Sequence, residues 1–393
     1  MSKKLDPVTQ AIRIQTPRSQ QQEHSTPLYL TSSFTFDEAE AMRAAFADET
    51  DDNIYSRFSN PNVDEFIAKM CALEGAEAGF ATSTGMSAIF SSMFALLKQG
   101  DHLICCSSVF GSTFTMVTKY LPKYGISATL VPAGDDAAWE AAVQPNTKMV
   151  YLETPTNPQL EIIDLEWVGK FSKKHNLILN VDNCFATPLL QRPIDFGADL
   201  VVHSATKWID GQGRVLGGII VGRADLIKDI YLFCRNTGPA MSPFNAWVLS
   251  KSLETLDVRM QRHSDNALKI AEALQSNPNV ASVKYPLLPN HPQYEIAKKQ
   301  MKLGGGVFCM EIKGGLQAGR KFLDALEMIS VTANLGDTRS IASHPASTTH
   351  SKLTDAERLS VGITPGLIRI STGLEKAEDI LADIAQALEK SAQ

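Results

Sequence analysis

Asp199–Gly213, DLVVHSATKWIDGQG, is the stretch on which the fold is decided. Its apolar run Leu200–Val202 reads as a strand buried on both faces. The strand ends near His203, and two hydroxyl residues follow, Ser204 and Thr206, then Lys207, then Gly211 and Gly213. In open α/β sheets, ligands collect beyond the carboxyl ends of the strands. Lys207 therefore stands where an amine meets a small molecule, and such an amine can form an imine with an aldehyde cofactor. The two hydroxyls suit a phosphate beside it, and the glycines let the backbone turn sharply. An arbitrary lysine after a strand is a surface lysine, so the rest of the chain has to supply the context.

Working outward, further short apolar runs occur at His102–Cys106, Ala128–Val131, Met149–Leu152, Leu177–Val181 and Gly218–Val221. Helical spacing separates them. Met86, Ile89, Phe90, Met93, Phe94 and Leu97 share one face of Gly85–Leu97, and Leu165, Val168 and Phe171 share one face of Asp164–His175. Strand, helix and strand in series predict a mostly parallel sheet with right-handed crossovers over residues 61–255. Residues 1–60 are polar and rich in turn formers. They read as an arm packing on a neighbouring subunit, with a short helix around Asp37–Phe46. Residues 256–393 read as a smaller C-terminal α+β domain. Its helices are expected near Ser264–Leu274, Leu316–Leu326 and Lys376–Leu388, and its strands near Ala281–Tyr285 and Val307–Ile312.

The 393 residues are 44% hydrophobic, enough for a large core, and the net charge of −6 comes without a basic tract. Nucleic acid and anionic membranes are poor partners for such a surface. The six cysteines form no CxxC pair and read as reduced thiols. The first twenty residues lack the apolar core of a signal peptide, and no run approaches a membrane span. A cytoplasmic protein is expected. His344 and His350 lie six apart, which suits no helical ligand pair, so no metal is expected.

Several other residues have a plain and a chemical reading. Ser83–Ser87 precedes an apolar helix: an ordinary N-cap, or a phosphate seat built from free N–H groups and the helix dipole. Asp182 ends an apolar run and is either a turn residue or the partner of a cation. Arg369, between Ile368 and Ile370, is costly unless paired. Tyr55 and Arg57 are a turn tyrosine and a surface arginine, or an anion clamp. Asn157 before proline is a turn residue or a ligand contact.

The sequence SATKW followed by GQG closely resembles the cofactor-attachment motif of the Cys/Met-metabolism family of pyridoxal phosphate (PLP) enzymes, the relatives of cystathionine synthases and lyases. The resemblance runs over nearly the whole chain, through YSRFSNPN (Tyr55–Asn62), TSTGMSAI (Thr82–Ile89), ETPTNP (Glu153–Pro158), VDN (Val181–Asn183), HPASTTH (His344–His350) and LIRISTGLE (Leu367–Glu375). It implies the aspartate aminotransferase-like PLP-dependent transferase fold, fold type I, with Lys207 carrying the cofactor. It assigns Gly85, Met86, Ser204 and Thr206 to the phosphate, Asp182 to the pyridine nitrogen and Asn157 to the ring oxygen. Arg369 falls to the substrate α-carboxylate, with Asn334 nearby where relatives often have serine. It also implies that Tyr55 and Arg57 reach the partner subunit's phosphate, in a homotetramer built from active dimers.

One departure directs the reaction. Lyases of the family carry a tyrosine over the cofactor ring, and here VFGSTF places Phe110 at that position. The phenol credited with proton transfer to the γ-leaving group is absent. An acyl carboxylate leaves without that help. With GQGRVLGG, the segment resembles the homoserine-ester sulfhydrylases, which replace the acyl group of O-succinyl- or O-acetylhomoserine by sulfide. Arg214 and Arg339 are then candidate cations for a second substrate carboxylate.

Overall fold

The computed structural model describes residues 5–349, 351, 354–360 and 362–392; His350 of the expected histidine pair lies outside them. Seven strands form the larger sheet: β1 (Ala78–Thr82), β2 (His102–Cys106), β3 (Ser127–Val131), β4 (Thr147–Glu153), β5 (Ile178–Asp182), β6 (Leu200–Ser204) and β7 (Gly218–Gly222). Their spatial order is β1-β7-β6-β5-β4-β2-β3. Only β7 runs against its neighbours, so the sheet is mostly parallel, as expected. β2 and β7 are buried at every residue, which is why they read as unbroken apolar runs. β3 is the exception to the expected burial: it closes one edge of the sheet and is buried only at Val131.

β1 and two helices are among the elements that were not anticipated. β1, AGFAT, is too short and small-residued to stand out as an apolar run. The helices Ala224–Thr237 and Pro243–Leu253 fill the chain between β7 and residue 255. The helix expected from Ser264 begins at Leu256, and its added turns bury Arg259 and His263. Arg259 is held there by the carbonyls of Trp208, Ile209 and Ser252.

A second, five-stranded sheet follows: β8 (Val280–Lys284), β9 (Val307–Ile312), β10 (Ser330–Val331), β11 (Ile341–Ser343) and β12 (Leu367–Ser371), in the order β10-β11-β12-β9-β8. The helices Leu256–Leu274, Gly315–Ala325 and Ala377–Ser391 supply its apolar cover, with Ile270, Phe322, Ile380 and Ile384 in one buried cluster. This is the smaller α+β part.

The first sixty residues contain two short helices, Pro7–Arg13 and Ala39–Phe46, and otherwise extended chain. One carboxylate is among the groups that fasten them. Glu65, in the helix Pro61–Glu74, accepts from the Thr16 N–H and from the Thr16, Thr26 and Ser250 hydroxyls. Lys69, fully buried, lies 3.0 Å from the same carboxylate and from Glu254. Every charge in this cluster has a partner.

Candidate active site

Parallel strands bring their carboxyl ends to one edge of the larger sheet, so Cys106, Glu153, Asp182 and Ser204 finish side by side. The helix Gly85–Phe94 starts at that edge. Its Thr84 hydroxyl accepts the Ser87 N–H at 3.0 Å, and the Ser87 hydroxyl accepts the Thr84 N–H at 3.0 Å. This capping box satisfies two of the four N–H groups that a helix start leaves open and leaves those of Gly85 and Met86 without an intrahelical acceptor. A Cβ on Gly85 would stand 2.5 Å from the Ser204 Cβ, so only glycine lets the helix start approach the end of β6. The two exposed N–H groups and Ser204 thus form one anion seat at the positive end of a helix dipole. The Thr206 hydroxyl faces Gly217, accepting its N–H at 3.1 Å and donating to its carbonyl at 3.3 Å. It fixes the turn after Lys207.

Asp182 and Glu153 are adjacent in register on β5 and β4. Both are buried, and burial is the main reason each carboxyl is pushed above its ordinary value. Their mutual repulsion adds to this for Glu153. Asp182 accepts the Tyr151 hydroxyl at 3.3 Å and the Cys184 N–H at 3.0 Å; His203 lies near enough to draw its carboxyl down, and among the described residues no arginine or lysine bonds to it. A protonated ring nitrogen is the kind of group such a carboxylate needs. Glu153, 4% exposed, accepts the Phe110 N–H at 2.8 Å. Phe110 itself is 43% exposed, a large apolar ring at the ligand edge. Glu153 went unnoticed in the sequence, where it reads as the polar residue closing the run Met149–Leu152. Its signal was its place at a strand end beside that of Asp182.

Lys207 follows β6 in a tight turn, with Gly211 and Gly213 both in the left-handed region. Burial lowers the amine's pKa, and the nearby Arg369 charge lowers it further. Its Nζ donates to the Asn334 Oδ1 at 2.5 Å. Arg369 comes from β12 of the second sheet, 6% exposed. It donates to the Asn157 Oδ1 at 2.9 Å and to the Asn334 carbonyl at 3.0 Å. Its Nε is buried without a hydrogen-bond partner. A guanidinium with an unmet donor beside a buried amine suits an incoming carboxylate. Four expected residues, Lys207, Asn334, Arg369 and Asn157, are therefore one connected set drawn from both sheets. Asn334 touches the lysine itself, a contact its sequence did not suggest.

Other expected residues lie apart from this set. The Arg57 guanidinium donates to the Arg235 carbonyl and rests 4.8 Å from the Phe58 ring centre and 5.5 Å from that of Tyr55. Arg214, expected as a substrate cation, has its Nε 3.0 Å from Asp210 and its Nη2 on the Ser252 hydroxyl. Asp210 is fully buried, so Arg214 neutralises a structural charge. Arg339 is paired in the same manner with Asp337, at 2.9 Å. His344 is bonded to the Ser347 hydroxyl and the Pro365 carbonyl, at 2.7 and 2.8 Å, which accounts for both ring nitrogens. Among the described residues no cluster of histidine, cysteine and carboxylates suited to a metal occurs, and no helix is long and apolar enough to cross a membrane.

Comparison with known proteins gives a consistent picture. The family model described as Cys/Met metabolism PLP-dependent enzyme matches residues 8–389. An O-succinylhomoserine sulfhydrylase of Pseudomonas aeruginosa is 46% identical over 97% of this chain and 94% of that protein. An L-methionine gamma-lyase of Porphyromonas gingivalis is 44% identical over 93% of this chain and 92% of its own length. Among solved structures, a putative O-acetylhomoserine (thiol)-lyase of Campylobacter jejuni, carrying a pyridoxyl-lysine phosphate, superposes with a TM-score of 0.94. It is 32% identical and covers 98% of this chain and all of that one.

Proposed function

The chain belongs to the Cys/Met metabolism family of PLP-dependent enzymes and uses pyridoxal phosphate, and within that family we propose that it replaces the acyl group of an O-acylhomoserine, O-succinyl-L-homoserine in the first place, by sulfide. The products are L-homocysteine and the free acid. The observation that carries this reading is Phe110: a ring at the ligand edge with no hydroxyl to protonate a γ-leaving group. Succinate departs as a stable carboxylate and needs no such acid, whereas a thiolate does.

The cofactor, when bound, supplies an aldehyde that captures the substrate amine and a ring that draws electrons from Cα. The chain's own residues do the rest. Gly85 and Met86 N–H groups, with Ser204 and Thr206 alongside, are the proposed hold on the phosphate. Asp182 keeps a proton on the ring nitrogen, since an ionised carboxylate raises that nitrogen's pKa. Asn157 orients the ring oxygen side. Arg369 takes the substrate α-carboxylate on its unmet donor. Lys207, once freed, removes the Cα proton and returns protons along the substrate. Its lowered pKa favours the neutral amine this task requires.

The same family resemblance leads us to infer a homotetramer of active dimers in the cytoplasm. Tyr55 and Arg57 would complete the phosphate seat of the neighbouring subunit. The exposure of Tyr55, and an Arg57 whose own-chain contacts are an Arg235 carbonyl and two rings, support this reading.

The competing reading is a methionine γ-lyase, favoured by relatives about as similar as the sulfhydrylases. Incubation of the purified enzyme with O-succinylhomoserine, O-acetylhomoserine or methionine, each with and without sulfide or cysteine, separates the two. Homocysteine formed only when ester and sulfide are both present supports replacement. Release of a 2-oxo acid and a thiol from methionine at a comparable rate supports the lyase.

A further inference from the structure

Among the described residues, Glu153 is a buried carboxylate at the ligand edge that the reaction above leaves without a task. It ends β4 beside Asp182, its Oε2 accepts the Phe110 N–H at 2.8 Å, and its carboxylate also takes the Asn157 N–H. Phe110 begins the short helix Gly111–Thr115 and receives no side-chain cap of its own. The loop that presents the ring is therefore tied to the buried carboxyl end of a neighbouring strand. Phe110 is nearly half exposed. A backbone hydrogen bond from a rigid strand end sets the direction in which such a ring leaves the chain.

We propose that Glu153 is a positioning residue that fixes the Phe110 ring against the face of the cofactor whose nitrogen Asp182 meets. The inference rests on the reading of Phe110 as the aromatic ring over that cofactor. It assigns Glu153 no contact with substrate. What Glu153 contributes is an acceptor atom at the right place, so an uncharged acceptor at the same place does as well.

The test uses the full-length enzyme and reads the bound cofactor. Circular dichroism in the visible cofactor band and the PLP dissociation constant are measured for wild type, F110A, E153Q, E153A, E153D and the double variant E153A/F110A. Thermal melts check that each protein folds. F110A is expected to change the band, because it removes the stacked ring. E153Q keeps the acceptor and stays close to wild type. E153A and E153D lose or withdraw it, weaken PLP binding by roughly tenfold, as for a lost buried hydrogen bond, and shift the band towards that of F110A. In the F110A background, E153A adds clearly less than in wild type, since no ring remains to be misplaced and only the bond to the Asn157 N–H is still lost. Should E153A be alone in failing to fold, E153D against E153Q carries the same comparison. An F110A band identical to wild type overturns the placement of the ring, and the proposal with it. A normal F110A response with E153Q as impaired as E153A, or with E153A equally harmful in both backgrounds, overturns the role of Glu153 alone.

Discussion

Glu65 and Asp182 are both buried carboxylates, yet their surroundings are opposite. Around Glu65, two threonines, a serine and Lys69 satisfy the charge, and Glu254 completes the pairing of the lysine. Burial alone would raise the carboxyl, but these partners bring it down to about 2. Around Asp182 the strand ends gather a second carboxylate, a tyrosine hydroxyl and one N–H, and burial leaves both acids raised. The first cluster is closed and fastens the N-terminal arm. The second is open, and its missing cation is what a protonated ring nitrogen brings. The contrast repeats among the arginines: Arg214 is spent on Asp210, while Arg369 keeps a buried donor unmet.

The contrast can be broken most severely at Lys207. K207A is expected to reduce turnover by at least about a thousandfold and to abolish the cofactor's visible absorption, with the melting temperature of the cofactor-free protein little changed. K69M should do the reverse. Leaving Glu65 buried without its lysine costs about 3–5 kcal/mol of stability, measured by denaturant unfolding, while kcat per folded enzyme holds. R369A removes the open donor and its charge, and KM for the amino-acid substrate should rise by roughly a hundredfold, the loss of a buried charge-assisted hydrogen bond.

The pH response separates the two clusters by sign. Glu65 has a folded pKa below its ordinary 4.5, so its contribution is full above that value and is lost as pH falls towards about 2. Asp182 and Glu153 have raised folded values, so the stability associated with them is greatest at acid pH and is lost as pH rises through those values. D182N should therefore stabilise the cofactor-free protein at neutral pH while impairing cofactor function. A melt series from pH 2 to 8 on wild type and D182N checks both limbs. The smallest effect is expected at Arg214. R214A should change KM for O-succinylhomoserine by less than about twofold, because the guanidinium serves Asp210; a large rise would return it to the substrate.

The larger sheet was legible because strands buried on both faces leave unbroken apolar runs, and β2, β4, β5, β6 and β7 fall where those runs lie. β1 escaped because Ala78–Thr82 is built from small residues. The buried Arg259 disguised the start of its helix, because a carbonyl cage cannot be seen along the chain. At the site, Lys207, Asp182 and the Gly85 helix start were legible as residues at element ends. Glu153 and the contact of Asn334 with Lys207 were not, since both arise from chain segments that meet only in the fold. The Arg214–Asp210 pair is near in sequence, but nothing there says that Asp210 is fully buried.

The measurement that bears most directly on the proposed reaction is product analysis of the holoenzyme given O-succinylhomoserine and sulfide. The account predicts homocysteine and succinate in equal amounts, with little 2-oxo acid. Accumulation of 2-oxo acid at the same rate with or without sulfide, and a faster reaction with methionine, would contradict it.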